Sequence, residues 1–109
     1  EWRTQLRRFV DQEIAPYADD WDEAGKIPNE LWKKAGEIGV FALGYPEVYG
    51  GISEGIDIWH GNILHEELAR VGAGGISVAL TVHGISLPTV LKFASESLRQ
   101  EVGHAVMSG

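Results

Sequence analysis

From Val71 to Leu91 the chain contains no formally charged residue, and this run limits its folds more than anything else in the sequence. It is long enough to cross a bilayer. It also carries Gly72, Gly74, Gly75, Gly84, Pro88, His83 and the hydroxyls of Ser77, Thr81, Ser86 and Thr89, a load that weakens insertion. We therefore read it as a buried helix of a soluble domain, from about Ile76 to Ala94. On a helical wheel Ile76, Val78, Ala79, Leu80, Val82, Ile85, Leu87, Val90 and Leu91 cover roughly two-thirds of the circumference, leaving a stripe of Ser77, Thr81, Gly84 and Pro88. A helix apolar nearly all round must be covered nearly all round. Four other short helices would struggle to do that, so part of this surface is expected to meet protein or ligand beyond these residues.

Those four helices are read from apolar periodicity and stop signals. Trp2, Leu6, Phe9, Val10, Ile14 and Tyr17 fall on one side at 100° per residue, which predicts a first helix over about Trp2 to Asp20. Pro16 should kink or break it, because its ring clashes with the preceding turn. Asp22 to Lys26 reads as a turn. Pro28 opens a second helix, which stops at Gly39. Gly44 to Ile52 is a loop punctuated by Pro46 and by Gly50-Gly51. A third helix covers about Ile56 to Val71, and a last one, capped within Ser95-Glu96-Ser97, carries Leu98, Val102, Ala105 and Val106. No segment reads as a strand, so the expected fold class is all-α, one five-helix domain over residues 1–109.

Charge and composition exclude several functions. Nine basic residues against sixteen acidic ones give a net charge of −7, a sign that repels nucleic acid and anionic lipid. The chain has no cysteine, which rules out disulfides, thiolate nucleophiles and thiolate metal sites. It shows no initiator Met and no basic-then-apolar leader, and is expected to be a trimmed part of a longer protein.

The local motifs are weak. His65-Glu66-Glu67-Leu68-Ala69 begins like a zinc-protease helix, but Ala69 stands where the second His is required. No metal site is expected. His60 and Glu67 are read as a polar pair beneath a loop, and Glu66 with Arg70 as an i,i+4 ion pair. Gly72-Ala73-Gly74-Gly75 lacks the strand and glycine spacing of a phosphate loop and is read as a helix–helix turn. His83 reads as a satisfied interior residue, with a pocket wall as the alternative. The helix should bend at Pro88, whose missing N–H leaves the Gly84 carbonyl free. Tight helix packing and a ligand cavity both remain open along the small-residue stripe. No catalytic set can be assembled.

Taken in order, a series of segments resembles the acyl-CoA dehydrogenase family. It begins with Arg8-Phe9-Val10-Asp11-Gln12-Glu13-Ile14-Ala15-Pro16 and Trp21-Asp22-Glu23-Ala24-Gly25-Lys26-Ile27-Pro28. It continues through Glu30-Leu31-Trp32-Lys33-Lys34-Ala35-Gly36-Glu37-Ile38-Gly39, Pro46-Glu47-Val48-Tyr49-Gly50-Gly51 and Glu66-Glu67-Leu68-Ala69-Arg70. It ends with Thr81-Val82-His83 and Pro88-Thr89-Val90-Leu91-Lys92-Phe93. The resemblance implies the amino-terminal helical domain of a flavin-dependent enzyme whose middle and carboxy-terminal domains, with FAD and the catalytic glutamate, lie beyond residue 109. It implies α,β-dehydrogenation of an acyl-CoA thioester, in which a carboxylate removes the α-proton and the β-hydride passes to the flavin.

By position in that family, Val78, Ala79, Val82 and Ser86 are the candidate acyl-tail residues. Between Val82-His83 and Pro88 the sequence is one residue shorter than several relatives. An electron-transfer flavoprotein partner, a tetramer of full-length chains, and a cytoplasmic or mitochondrial-matrix location are further expectations from the resemblance. An acyl-CoA oxidase or flavin monooxygenase-like enzyme on the same scaffold, and a free-standing helical interaction module, are the alternatives.

Overall fold

A computed structural model describes all of residues 1–109 and is all-α. Seven α-helical segments follow one another: α1 (Trp2–Phe9), α2 (Ala18–Ala24), α3 (Asn29–Glu37), α4 (Ile58–Ala69), α5 (Gly74–Thr81), α6 (His83–Phe93) and α7 (Glu96–Met107). Counting the interrupted pair α5 and α6 as one makes six. The only strand-like feature is an isolated bridge between Leu43 and Ile52, which pins the two ends of the loop before α4.

The departures from five helices have local causes. α1 runs on into a π-helical turn over Val10–Ile14, with the Ala15 amide bonding the Val10 carbonyl at 2.9 Å. Pro16 has no amide to continue the ladder, and the helix ends there before restarting as α2. α2 itself continues through Asp22-Glu23-Ala24, where a turn is expected from sequence, and stops at Gly25 with φ 68°. A second interruption falls at Val82, whose φ and ψ stay helical at −62° and −26°, and Pro88 lies inside α6. Just before that break the Thr81 hydroxyl donates back to the Ser77 carbonyl at 2.8 Å, a contact that bends helices.

The other ends follow their chemistry. The Asp57 carboxylate accepts from the Trp59 amide at 3.0 Å and its own amide meets His60 Nδ1 at 3.2 Å, which closes a capping box on α4. Ser95 caps α7, and Arg99 Nε donates to the Ala94 carbonyl at 2.9 Å beyond the end of α6.

Packing centres on α1 against α4, α4 and α2 against α5, and α6 against α7. Leu6, Val10, Ile14, Leu31, Ala35, Leu64, Leu68, Ile76 and Leu80 fill the main core. A smaller cluster of Ala42, Tyr49, Leu87 and Met107 holds α6, α7 and the loop together. Gly103 makes the α7 approach possible, since a Cβ there would stand 2.8 Å from that of Tyr49. Together α5 and α6 are long and apolar enough, by length and composition, to cross a membrane; they are interrupted at Val82 and contribute Ile76, Leu80 and Leu87 to the two clusters.

Candidate functional site

α5 and α6 bury one side only. Ile76, Leu80 and Leu87 face inward, whereas Val78, Val82 and Ile85 are 62%, 48% and 79% exposed. The charge-free run is therefore not sealed by its companion helices, as its circumference predicts. At 25 cal/mol per Å² or so of apolar surface, an uncovered stripe of this kind forgoes several kcal/mol of burial that a covering partner would recover.

Beside this stripe lies an open cavity of about 540 Å³. α5 and α6 contribute Ala79, Val82, His83 and Ser86 to its wall, positions spaced so that they share one face. Opposite them stand Trp32 of α3 and Phe41, whose rings are stacked 5.9 Å apart, and Val106 of α7. Asn29, Lys33, His83 and Ser86, with the indole N–H of Trp32, are the hydrogen-bonding groups among the side chains of an otherwise apolar surface. Of the four acyl-tail candidates, Ala79, Val82 and Ser86 come together on this wall; Val78 is exposed and does not line the cavity. Trp32, Phe41 and Val106 could not be found from spacing, because only tertiary packing brings them there.

His83 departs from the satisfied interior residue expected of it. It is half-buried, its ring meets Phe41 edge-on at 5.1 Å and lies 6.4 Å from Tyr45, and Nδ1 is buried with no hydrogen-bond partner. Burial pushes the imidazole below its usual range. The small-residue stripe is not tightly packed either: a Cβ on Gly84 would meet nothing within 4 Å. Thr81 and Gly84 instead line a second cavity of about 200 Å³, which His83 shares.

The strongest electrostatics lie elsewhere. Glu67, fully buried on α4, accepts from Arg7 at 2.9 and 3.2 Å, Arg70 at 3.0 Å and Arg3 at 3.1 Å. Led by Arg7, these guanidinium groups hold its carboxyl down at about 2, against the opposing effect of burial. Glu67 is thus a structural clamp between α1 and α4 rather than a general base, and its partner is not His60, which is occupied by the Asp57 cap. Nor do Glu66 and Arg70 pair: Glu66 bonds Arg3 at 2.6 Å and Arg70 reaches Asp11 at 3.2 Å. No cluster of three metal-ligating side chains exists.

The residues present do not by themselves fit FAD. The start of α5 at Gly74-Gly75 offers backbone amides, but a Cβ at either glycine would meet only open space, and the run from Val71 to Leu91 supplies no cation for a diphosphate. What the chain offers such a group is at most an apolar edge.

The family model for the acyl-CoA dehydrogenase N-terminal domain matches residues 1–109. The mitochondrial long-chain specific acyl-CoA dehydrogenase of Sus scrofa is 33% identical over 87% of this chain and 21% of its own length. The glutaryl-CoA dehydrogenase of Desulfococcus multivorans is 37% identical over 89% of this chain and 25% of its own. The crystal structure of a probable acyl-CoA dehydrogenase from Mycobacterium abscessus superposes with a TM-score of 0.86 at 31% identity, covering 98% of this chain and 28% of that one. The chain thus spans about a fifth to a quarter of the length of these curated relatives.

Proposed function

This chain belongs to the acyl-CoA dehydrogenase family as an N-terminal domain, and from that premise we propose that it forms one wall of the acyl pocket in a longer, flavin-dependent enzyme that desaturates acyl-CoA thioesters. The observation that carries the reading is the uncovered face of α5 and α6, where Val82 joins an exposed apolar stripe to the wall of the 540 Å³ cavity. A hydrocarbon tail needs such a surface: each methylene removed from water contributes about 0.8 kcal/mol. Ala79, Val82 and Ser86 are the side chains assigned to the tail. FAD and the base that takes the α-proton are assigned to parts of the protein outside residues 1–109, since the chain spans only 21% and 25% of the length of these relatives. Full-length protein should purify with bound flavin and lose its oxidised-flavin absorbance on anaerobic addition of an acyl-CoA. A full-length protein that binds no flavin, or whose flavin no acyl-CoA reduces, defeats the reading. Oxygen uptake stoichiometric with turnover would move it to an oxidase on the same scaffold.

A further inference from the structure

The polar atoms of His83 have no partner anywhere in this chain. Nδ1 is sealed and unbonded, so a proton on it would be a buried donor with no acceptor, the rarest kind of unsatisfied group. An unprotonated Nδ1 lone pair is tolerated better, and burial keeps the ring neutral. The proton therefore resides on Nε2. Nε2 also lacks a protein partner but is not sealed, and the residue lines both the larger and the smaller cavity. Phe41 and Tyr45 fix the ring from the loop side. The result is one neutral, oriented N–H donor on a largely apolar wall, with Ser86 on the same wall and Asn29 on the α3 side of the same cavity.

We propose that His83 is a specificity-determining residue that donates a hydrogen bond from Nε2 to an oxygen on the distal part of the acyl group, so that the site favours oxygen-bearing acyl chains over plain hydrocarbon of equal length. The proposal rests on the acyl-wall reading above. A plain chain that covers Nε2 strips its water and returns nothing, whereas a hydroxyl, carbonyl or carboxylate oxygen replaces that water. Sites that leave a polar group unpaired discriminate against the analogue lacking its partner. For one neutral hydrogen bond the preference should be on the order of tenfold.

The test uses full-length protein and a set of CoA thioesters of one chain length, unsubstituted or with a single hydroxyl walked along the distal half. One position should raise kcat/KM about tenfold over the plain chain, chiefly through KM. His83→Phe, which keeps a ring against Phe41 but has no donor, should bring that ratio to about one. His83→Gln, which restores an N–H, should recover part of it. Equal kcat/KM for all members with the wild-type protein overturns the proposal without any variant, and so does a preference that survives His83→Phe. A terminal carboxylate strongly preferred over a terminal hydroxyl, and lost in Lys33→Met but not in His83→Phe, would assign selectivity to the cavity's cation instead and likewise overturn it. If no thioester reduces the flavin at all, the acyl-wall reading has failed and this proposal falls with it, an outcome distinct from turnover without preference.

Discussion

Replacing Glu67 by Gln tests how the domain holds its first helix. The carboxylate accepts four hydrogen bonds from three arginines. A carboxyl held at about 2 rather than at its ordinary 4.5 corresponds to about 3 kcal/mol of preferential stabilisation of the folded anion. The three guanidinium groups keep roughly half their surface in water, where they lose part of that coupling to solvent, so we reduce the figure to about 2 kcal/mol. Gln removes the charge and turns an NH₂ toward donors that cannot accept it, which leaves at most one acceptor for Arg7. The readout is amide hydrogen exchange of α1 peptides in the full-length protein. Opening of α1 from α4 should accelerate roughly thirtyfold, while peptides of α7 should be unaffected. The sign with pH follows from the lowered value: the stabilisation is present above about pH 4.5 and drains away as pH falls toward 2, so the wild-type and Gln proteins should converge at acid pH. Less than threefold acceleration in α1, or equal acceleration in α7, would refute the clamp.

Four other outcomes are expected. Ala79→Phe in the full-length enzyme should shift the kcat/KM optimum to shorter acyl chains, because the added ring enters the 540 Å³ cavity; an unchanged chain-length profile removes Ala79 from the wall. Leu80→Ala, at a fully buried position, should lower stability by about 2–5 kcal/mol in thermal or chemical denaturation. Gly103→Ala should destabilise by roughly 1–3 kcal/mol through the clash with Tyr49 and loosen the 2.9 Å bond from Tyr49 Oη to Glu96, visible as faster exchange at the start of α7. Ser53→Ala should raise the Glu47 pKa from about 2 toward the ordinary range, because the Ser53 hydroxyl is the leading cause of its depression; a carboxyl NMR titration that stays put would disprove that cause.

How much of this was legible depended on the range of the interactions involved. Five helical regions, the break near Pro16, the stop at Gly39 and the cap at Ser95 are all written within a few residues, and sequence periodicity finds them. The over-apolar circumference of α5 and α6 was legible too, and Val78, Val82 and Ile85 are open as that circumference requires. The Glu67 clamp was not. Its arginines on α1 lie 60 and 64 residues away in sequence, and local rules favoured the surface pair Glu66–Arg70, worth only a few tenths of a kcal/mol. A buried carboxylate outbids it for Arg70. The break at Val82 escaped for a related reason: proline announces a kink, whereas a threonine hydroxyl turned back on its own helix gives no distinct sequence signal.

The two faces of the domain follow different physical rules, and this connects the fold to the proposed role. The α1–α4 side is closed by a charge network whose buried carboxylate, Glu67, is satisfied within the chain. The α5–α6 side leaves valine and isoleucine in water and a histidine nitrogen unpaired, two liabilities that natural domains rarely keep together without a use. A purely apolar partner would cover the stripe but would strand Nε2 of His83. A purely polar one would satisfy His83 but leave the stripe wet. The part of that surface lining the cavity, Ala79, Val82, His83 and Ser86, is complementary to something mainly hydrocarbon with a hydrogen-bond acceptor at one point, as an acyl chain carrying an oxygen would be. Val78 and Ile85, by contrast, do not line the cavity and call for a covering partner of their own.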